Sequence, residues 1–173
     1  MSHTAKKFIP LNIAVLTVSD TRTAETDTSG QRLRDLLEKD GHHCAGHEIV
    51  PDDRYVIRAE VSRWIADPEI NVVMITGGTG FSGRDSTPEA VAPLLDKMID
   101  GFGELFRQVS YEEIGSSTIQ SRCVGGLANH TLVFCLPGST GACTTAWNKI
   151  LHEQLDSRFA PCNFVPHTLA WQP

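Results

Sequence analysis

A glycine-rich segment with one aspartate is the part of this chain best suited to chemistry. Residues 75–90 read Ile-Thr-Gly-Gly-Thr-Gly-Phe-Ser-Gly-Arg-Asp-Ser-Thr-Pro-Glu-Ala. Glycines let the backbone approach an anion closely and point its N–H groups at it, and Asp85 can hold a metal ion. Thr87 can cap the helix that Pro88 begins. The segment therefore predicts a site for phosphate groups.

Strands and helices alternate around this segment. Residues 13–18, 47–50 and 71–76 are short apolar runs rich in β-branched residues, which is typical of strands covered on both faces. The pattern predicts helices from Thr28 to Asp40, from Asp53, and from Thr87 to about Asp96, with Thr28 or Ser29 capping the first. Such alternation predicts parallel strands joined by right-handed crossovers.

The second half of the chain completes this domain. Helical turns are predicted over residues 101–122 with a break at Gly115, and the runs 123–127 and 131–134 predict a hairpin with one antiparallel strand. A long helix follows, capped by Ser139 or Thr140. We predict a three-layer αβα fold with a mostly parallel sheet over residues 11–156, an N-terminal arm over 1–10 and a C-terminal arm over 157–173.

Ligands of parallel sheets bind at the edge where the strands end and the helices begin. Asp52 and Asp85 both fall at this edge, beside the glycines. Carboxylates next to phosphates are typical Mg²⁺ ligands, so the arrangement predicts a substrate of the ATP type. Helix capping is the structural alternative for each carboxylate, and for Asp52 the two interpretations are balanced because aspartate is a favoured N-cap.

Gly78–Gly83 also fits the G-x-G-x-x-G pattern of dinucleotide-binding proteins. That pattern normally joins the first strand to its helix, with an acidic residue about 20 positions later at the end of the next strand. Here the loop follows the third strand, so an NAD-binding enzyme is the weaker hypothesis. A P-loop is excluded because the sequence has no Gly-Lys-Ser/Thr ending at this position.

Charge and composition limit the classes of partner and of metal site that the sequence predicts. The net charge of −6 and the pI near 5.6 argue against a nucleic-acid partner, because the 15 lysines and arginines are scattered. No signal-peptide pattern or membrane-length apolar run is present in the sequence, which predicts a cytoplasmic protein without membrane contact. The five cysteines lack a C-x-x-C pair, so neither a disulfide framework nor a zinc site is expected.

Four segments in order carry a resemblance to a known family: Ser-Asp-Thr at 19–21, Val-Pro-Asp at 50–52, the glycine segment, and Leu-Pro-Gly-Ser at 136–139. Together they resemble the molybdopterin-binding MoaB/Mog family over nearly all of residues 11–165. The resemblance implies the family's α/β fold and an ATP- and Mg²⁺-dependent molybdopterin adenylyltransferase. In this reaction the terminal phosphate of molybdopterin attacks the α-phosphate of ATP, giving adenylyl-molybdopterin and pyrophosphate.

The resemblance also implies residue roles. Asp52 and Asp85 fall on the family's two essential carboxylates and are expected to be catalytic and to hold the metal. The expected substrate-binding residues are Ser19, Asp20, Gly77, Gly78, Thr79, Gly80, Arg84, Thr87, Glu89, Pro137, Gly138 and Ser139. Arg84 is included for its charge. Ser116, Ser121 and Arg122 are weaker candidates for holding pterin or phosphate.

The family assembles as trimers or hexamers, which implies a homo-oligomer here, and other proteins of molybdenum cofactor biosynthesis are further expected partners. Locally, Phe102, Leu105, Phe106 and Val109 recur at helical spacing and suit either a core or an interface. The alternative from another functional class is a non-catalytic protein of the same pathway that binds molybdopterin or a partner.

Overall fold

The computed structural model describes residues 7–169, in which a six-stranded sheet lies between two layers of helices. The strands are β1 (Asn12–Val18), β2 (His43–Val50), β3 (Val72–Thr76), β4 (Lys97–Met98), β5 (Val124–Ala128) and β6 (Thr131–Leu136). The α-helices are α1 (Thr28–Lys39), α2 (Arg54–Ile65), α3 (Thr87–Val91), α4 (Asp100–Ile114), α5 (Thr140–Ala146), α6 (His152–Gln154) and α7 (Val165–Thr168). Short 3₁₀ segments (Ala92–Leu94, Gly115–Gln120) follow α3 and α4, and a π-helical segment (Trp147–Leu151) joins α5 to α6.

The order of the strands creates a crevice at one edge of the sheet. The order is β2-β1-β3-β6-β5-β4, so the chain moves outward from β1 to β2 and then crosses to the other side of β1 to form β3. Crevices of this kind form where the direction of winding reverses. Thr17 pairs with Thr76, and Thr76 pairs with Leu136, so β1, β3 and β6 end side by side.

Alternate residues of the central strands fill two separate cores. On one face, side chains such as Val15, Met74 and Phe134 pack with α1, α4 and α5. On the other, Leu16 and Ile75 belong to the core that includes α2 and α3. Two covered faces explain why these strands are continuously apolar, and the three-layer prediction is confirmed.

Strand β5 runs opposite to its neighbour β6, which confirms the predicted antiparallel strand. Asn129 has a positive φ of 47° in the hairpin turn between them. The break at Gly115 is also confirmed, with φ of 57° at the end of α4. Strand β4 was not predicted, because two residues are too short to show a period, and β2 begins at His43 rather than at His47.

Two of the predicted helix caps are wrong. Asp27, rather than Thr28 or Ser29, caps α1 by accepting a hydrogen bond from Gly30 N. Thr87 is the first residue of α3 and does not cap it: its hydroxyl is buried and donates to the carbonyl oxygen of Gly77. Ser139 caps α5 as predicted, by accepting from Ala142 N.

Asp53 caps α2, which settles the capping alternative for its neighbour Asp52. One carboxylate oxygen of Asp53 accepts from Tyr55 N at 2.9 Å and from Val56 N at 3.0 Å. Asp53→Ala should therefore lower the free energy of unfolding by about 1 kcal/mol, measured by urea denaturation. Asp53→Asn keeps the capping oxygen and should unfold like the wild type; equal midpoints for the alanine variant and the wild type would contradict this assignment.

The described parts of the two predicted arms contact each other. Ser157 Oγ donates to the carbonyl oxygen of Lys7 at 2.8 Å and accepts from Ile9 N at 2.9 Å. The C-terminal arm contains α7, and residues 1–6 and 170–173 of the predicted arms lie outside the described residues. Within residues 7–169, every helix is too short or too polar to cross a membrane.

Candidate functional site

A cavity of about 560 Å³ opens at the ends of β1, β3 and β6. Its volume lies within the range of small-molecule sites. All four segments that carry the family resemblance contribute residues to its lining: Ser19-Asp20, Asp52, Gly77–Asp85 and Pro137–Ser139. The crevice of the sheet and the predicted site are therefore the same place.

The glycine loop, residues 77–83, forms one wall of this cavity. Gly77 and Gly78 have φ angles of 103° and 66°, in the region that favours glycine. Within the described chain, the N–H groups of Gly78, Thr79 and Gly80 donate to no backbone carbonyl. A wall of free backbone donors suits an anionic ligand.

Asp52 and Asp85 lie against this loop. A β-carbon added at Gly78 would be 3.0 Å from Asp52 Oδ2, and one added at Gly80 would be 2.7 Å from Asp85 Oδ2. Asp52 Oδ1 accepts from the N–H and the hydroxyl of Ser86, at 3.3 and 3.1 Å. Asp85 Oδ2 accepts from Ser82 N at 2.8 Å. Neither carboxylate caps a helix, so both remain available to a ligand.

Asp20 and Arg84 form an ion pair at the mouth of the cavity. Arg84 donates from Nε to Asp20 Oδ2 at 2.6 Å and from its terminal nitrogen to Oδ1 at 2.8 Å. These hydrogen bonds lower the pKa of Asp20 below its usual value. Among the ion pairs of residues 7–169, none includes Asp52 or Asp85, so neither carboxylate has an ion-pair partner for its negative charge.

The pKa of Asp52 lies above its usual value. Partial burial raises it above the usual value, and the nearby charges of Asp85 and Asp20 raise it further, against the two hydrogen bonds from Ser86. A raised pKa in the folded state means that the fold loses stability as the pH rises and Asp52 ionises. At neutral pH the ionised carboxylate therefore disfavours the folded state.

Asp52→Asn removes this charge and keeps an oxygen for Ser86. We expect the variant to melt about 1–2 °C above the wild type at pH 7, a small shift because the site is open to solvent. Thermal unfolding without metal measures it, and the difference should vanish near pH 3, where Asp52 is protonated. A lower melting temperature at pH 7 would contradict the electrostatic account.

Arg122 holds the glycine loop from outside the cavity. Its Nε donates to the carbonyl oxygens of Thr79 and Gly80 at 3.2 and 2.9 Å, and a terminal nitrogen donates to Asp85 O at 3.1 Å. Its remaining terminal nitrogen pairs with Glu89. These contacts shape the loop, so Arg122 and Glu89 support the site rather than line it.

The other predicted site residues also include some that line the cavity and some that do not. Ser121 lines the cavity, whereas Thr87 lies behind the loop and Ser116 lines a separate shallow pocket beside Tyr111. The cavity is also lined by residues that the sequence analysis did not assign to the site: Thr17, Val18, Arg22, Ser29, Thr76, Ser82 and Gln120. Of these, Thr17 and Thr76 belong to the apolar strand patterns, and only their place at the strand ends could have marked them.

The donor set suits a magnesium ion. Among the described residues, no group of three or more His, Cys, Asp or Glu side chains is arranged to hold a metal ion. Mg²⁺ does not need such a group, because it commonly takes one or two carboxylates and completes its shell with water and substrate phosphate. Asp52 and Asp85 provide two carboxylates that have no ion-pair partner in the described chain and lie beside the glycine loop, so they fit this requirement.

The chain is similar to known proteins over most of its length. A family model described as a probable molybdopterin binding domain matches residues 14–157. The chain is 56% identical over 167 residues to molybdenum cofactor biosynthesis protein B of Escherichia coli (strain K12), covering 96% of this chain and 98% of that protein. The protein of the same name from Bacillus cereus is 49% identical over 142 residues, with 82% of this chain and 84% of that protein covered.

Solved structures share the fold. A crystal structure of molybdenum cofactor biosynthesis protein B superposes with a TM-score of 0.83 at 47% identity, covering 85% of this chain and 92% of that one. The tungsten cofactor synthesizing protein MoaB from Pyrococcus furiosus gives a TM-score of 0.74 at 37% identity, with 83% and 92% covered. The resemblance drawn from the glycine segment is thereby confirmed, and this chain belongs to the molybdopterin-binding domain family together with the molybdenum cofactor biosynthesis proteins B.

Proposed function

We propose that this protein acts in molybdenum cofactor biosynthesis by binding molybdopterin and transferring AMP to it from ATP. The observation that carries the proposal is the pair Asp52 and Asp85, which have no ion-pair partner among residues 7–169 and lie against a loop of free backbone donors in one cavity. Membership of the molybdopterin-binding domain family supports the choice of acceptor. The products are adenylyl-molybdopterin and pyrophosphate.

The chemistry needs little from the protein beyond position and charge. The terminal phosphate of molybdopterin is a monoester, largely ionised near pH 7, so it attacks the α-phosphorus of ATP without a strong general base. The bond from that phosphorus to the bridging oxygen of pyrophosphate breaks as the new P–O bond forms. Catalysis then consists of aligning the two phosphates and stabilising the charge that shifts to pyrophosphate.

The residues of the cavity divide these tasks. Mg²⁺, held by Asp52 and Asp85, would neutralise phosphate charge as ATP and pyrophosphate require. The free N–H groups of the glycine loop would donate to the phosphates, and Arg122 keeps this loop in shape through its carbonyls. Arg84 lies at the mouth, where its guanidinium can exchange Asp20 for a phosphate oxygen.

Position-specific labels test the proposal. Label at the α-phosphate of ATP should appear in molybdopterin, and label at the γ-phosphate should appear in pyrophosphate, both only when Mg²⁺ and molybdopterin are present. Transfer of the γ-label to molybdopterin would show a kinase and overturn the proposal. Tight binding of molybdopterin with no transfer of either label would identify a non-catalytic carrier of the same pathway.

We also propose that the protein works in the cytoplasm, where ATP and Mg²⁺ are available, as a homo-oligomer, a trimer or a hexamer. Phe102 and Phe106 are buried in the core, but Leu105 on the same helix is 41% exposed, and Tyr111 and Ile114 lie exposed further along it. Tyr111 and Ile114 are three positions apart and share one face of the helix, which suits an interface between copies. Light scattering should give a multiple of the 19.0 kDa chain mass, and a monomer would contradict the assembly.

A further inference from the structure

Asp27 is a buried carboxylate beneath the cavity, and the transfer mechanism gives it no part. Asp27 is only 3% exposed. Oδ2 accepts from Thr17 Oγ1 at 2.6 Å and contacts His47 Nε2 at 2.9 Å. Oδ1 accepts from Gly30 N at 2.9 Å and from Ser29 Oγ at 3.4 Å. Capping of α1 uses only the Gly30 contact, so it does not explain the others.

Asp27 is ionised in this setting. Burial by itself raises the pKa of Asp27, but the hydrogen bonds from Thr17, Gly30 and His47 outweigh burial and lower the pKa below its usual value. An ionised carboxylate accepts hydrogen bonds and donates none. The hydroxyl protons of Thr17 and Ser29 therefore point toward Asp27, and His47 presents an Nε2–H to it.

Thr17 and Ser29 are also among the residues that line the cavity, each of them less than 4% exposed, and we call these two residues the cavity floor. A hydroxyl has one proton, and here that proton is committed to Asp27. Only lone pairs remain for a ligand. The neighbouring Thr76 is oriented in the same sense, because its hydroxyl donates to Pro137 O at 3.0 Å. The floor thus accepts hydrogen bonds and offers none.

We infer that Asp27 fixes the hydrogen-bond polarity of the cavity floor, so that Thr17 and Ser29 select the N–H-bearing edge of a heterocyclic ligand. The inference rests on the proposed function, in which that ligand is molybdopterin. Its pterin ring carries N–H donors that match the floor, whereas its phosphate has only acceptors and is repelled there. The ring edge then lies over Thr17 and Ser29, and the phosphate lies at the glycine loop. Asp27 is a positioning residue, because it acts through the two hydroxyls.

Gly30 shows how closely the network is packed. A β-carbon at this position would be 2.6 Å from His47 Nε2 and would overlap Asp27 Oδ2 and Thr17 Oγ1. The first turn of α1 therefore approaches β1 and β2 with no room for a side chain or a water molecule between them. Close packing holds each hydroxyl in a single orientation.

Asp27→Asn reverses the direction of the hydrogen bond between residue 27 and Thr17 while the side chain keeps nearly the same shape. The amide oxygen can still accept from Gly30 N, and the amide NH₂ takes the place of Oδ2 and donates to Thr17, whose proton then turns into the cavity. We expect the Kd of molybdopterin to rise about tenfold, while the Kd of ATP stays within about twofold of the wild type. Equilibrium binding of each ligand, measured separately by calorimetry, gives both values.

A double-mutant cycle separates this role from helix capping. Thr17→Val removes the floor hydroxyl, and in that background Asp27→Asn should change the Kd of molybdopterin by no more than about twofold. Thr131→Val is the matched control and should bind like the wild type, because it removes a buried strand hydroxyl that donates to Ile70 O and does not line the cavity. If Asp27→Asn does not fold, the Kd of molybdopterin is compared between Thr17→Val and Thr17→Ser. Serine keeps the hydroxyl and should retain affinity for molybdopterin.

Three outcomes would overturn the inference: wild-type affinity in Asp27→Asn, an equal loss for ATP and molybdopterin, or an undiminished effect in the Thr17→Val background. For the fallback pair, equal affinities of the valine and serine variants would overturn it. Adenylyl transfer by the wild type is measured in parallel. If the wild type transfers AMP but the double-mutant cycle gives one of these outcomes, only the inference about Asp27 is overturned. If the wild type binds molybdopterin but transfers no AMP, only the proposed reaction is overturned, and the cycle still tests the inference.

Discussion

Asp85→Asn should lower the rate of adenylyl transfer by about a thousandfold and change the affinity for molybdopterin only a few-fold. Asparagine keeps an oxygen to accept the hydrogen bond from Ser82 N, so the loop retains its turn. It removes one of the two carboxylate charges that would hold Mg²⁺. The loss therefore falls on catalysis rather than on binding, and single-turnover kinetics together with equilibrium binding separate the two.

Asp53→Asn provides the matched control for Asp85→Asn. It removes the same charge from a carboxylate near the cavity, but Asp53 serves the cap of α2 and does not line the cavity. Its transfer rate should stay within about twofold of the wild type. Equal rates for Asp85→Asn and the wild type would remove Asp85 from the mechanism.

Gly77→Ala should destabilise the fold by about 3 kcal/mol and abolish binding of molybdopterin. The residue has a φ of 103°, and a β-carbon there would overlap the carbonyl oxygen of Val18 on β1. The end of β1 or the start of the loop must then move, and both border the cavity. A loss of this size lowers the melting temperature by roughly 6–12 °C in a domain of this length.

Gly83→Ala tests whether the effect is specific to that backbone position. Gly83 belongs to the same loop, but a β-carbon added there would meet no atom within 4 Å. We expect wild-type melting and wild-type affinity. If Gly77→Ala melted like Gly83→Ala, the loop would not depend on the left-handed conformation at residue 77.

The sheet and the site edge could be predicted because their signals are local. β1 and β3 are continuous apolar runs, and the glycines directly follow β3. Capping was harder, since neighbouring residues compete for the same role: Asp52 and Asp53 are both aspartates, and Asp27 precedes two other good caps. Only the tertiary contacts decide among them, as the buried hydroxyl of Thr87 demonstrates.

Long-range contacts explain what the sequence could not indicate. Arg122 reaches Gly80 across 42 residues of chain, and His47 reaches Asp27 across 20. Neither pair has a fixed spacing that a pattern could recognise. The cavity floor was missed for a related reason, because Thr17 lies in an apolar strand and its hydroxyl gains meaning only from the carboxylate behind it.

Mass spectrometry of the products formed from molybdopterin, ATP and Mg²⁺ is the decisive measurement for adenylyl transfer. We expect adenylyl-molybdopterin in amounts that exceed the enzyme many times, with one pyrophosphate released for each molecule. Asp85→Asn, assayed alongside, should yield almost none. Molybdopterin that remains bound and unmodified with the wild-type protein, while ATP stays intact, would contradict the claim and leave the cavity as a binding site without this chemistry.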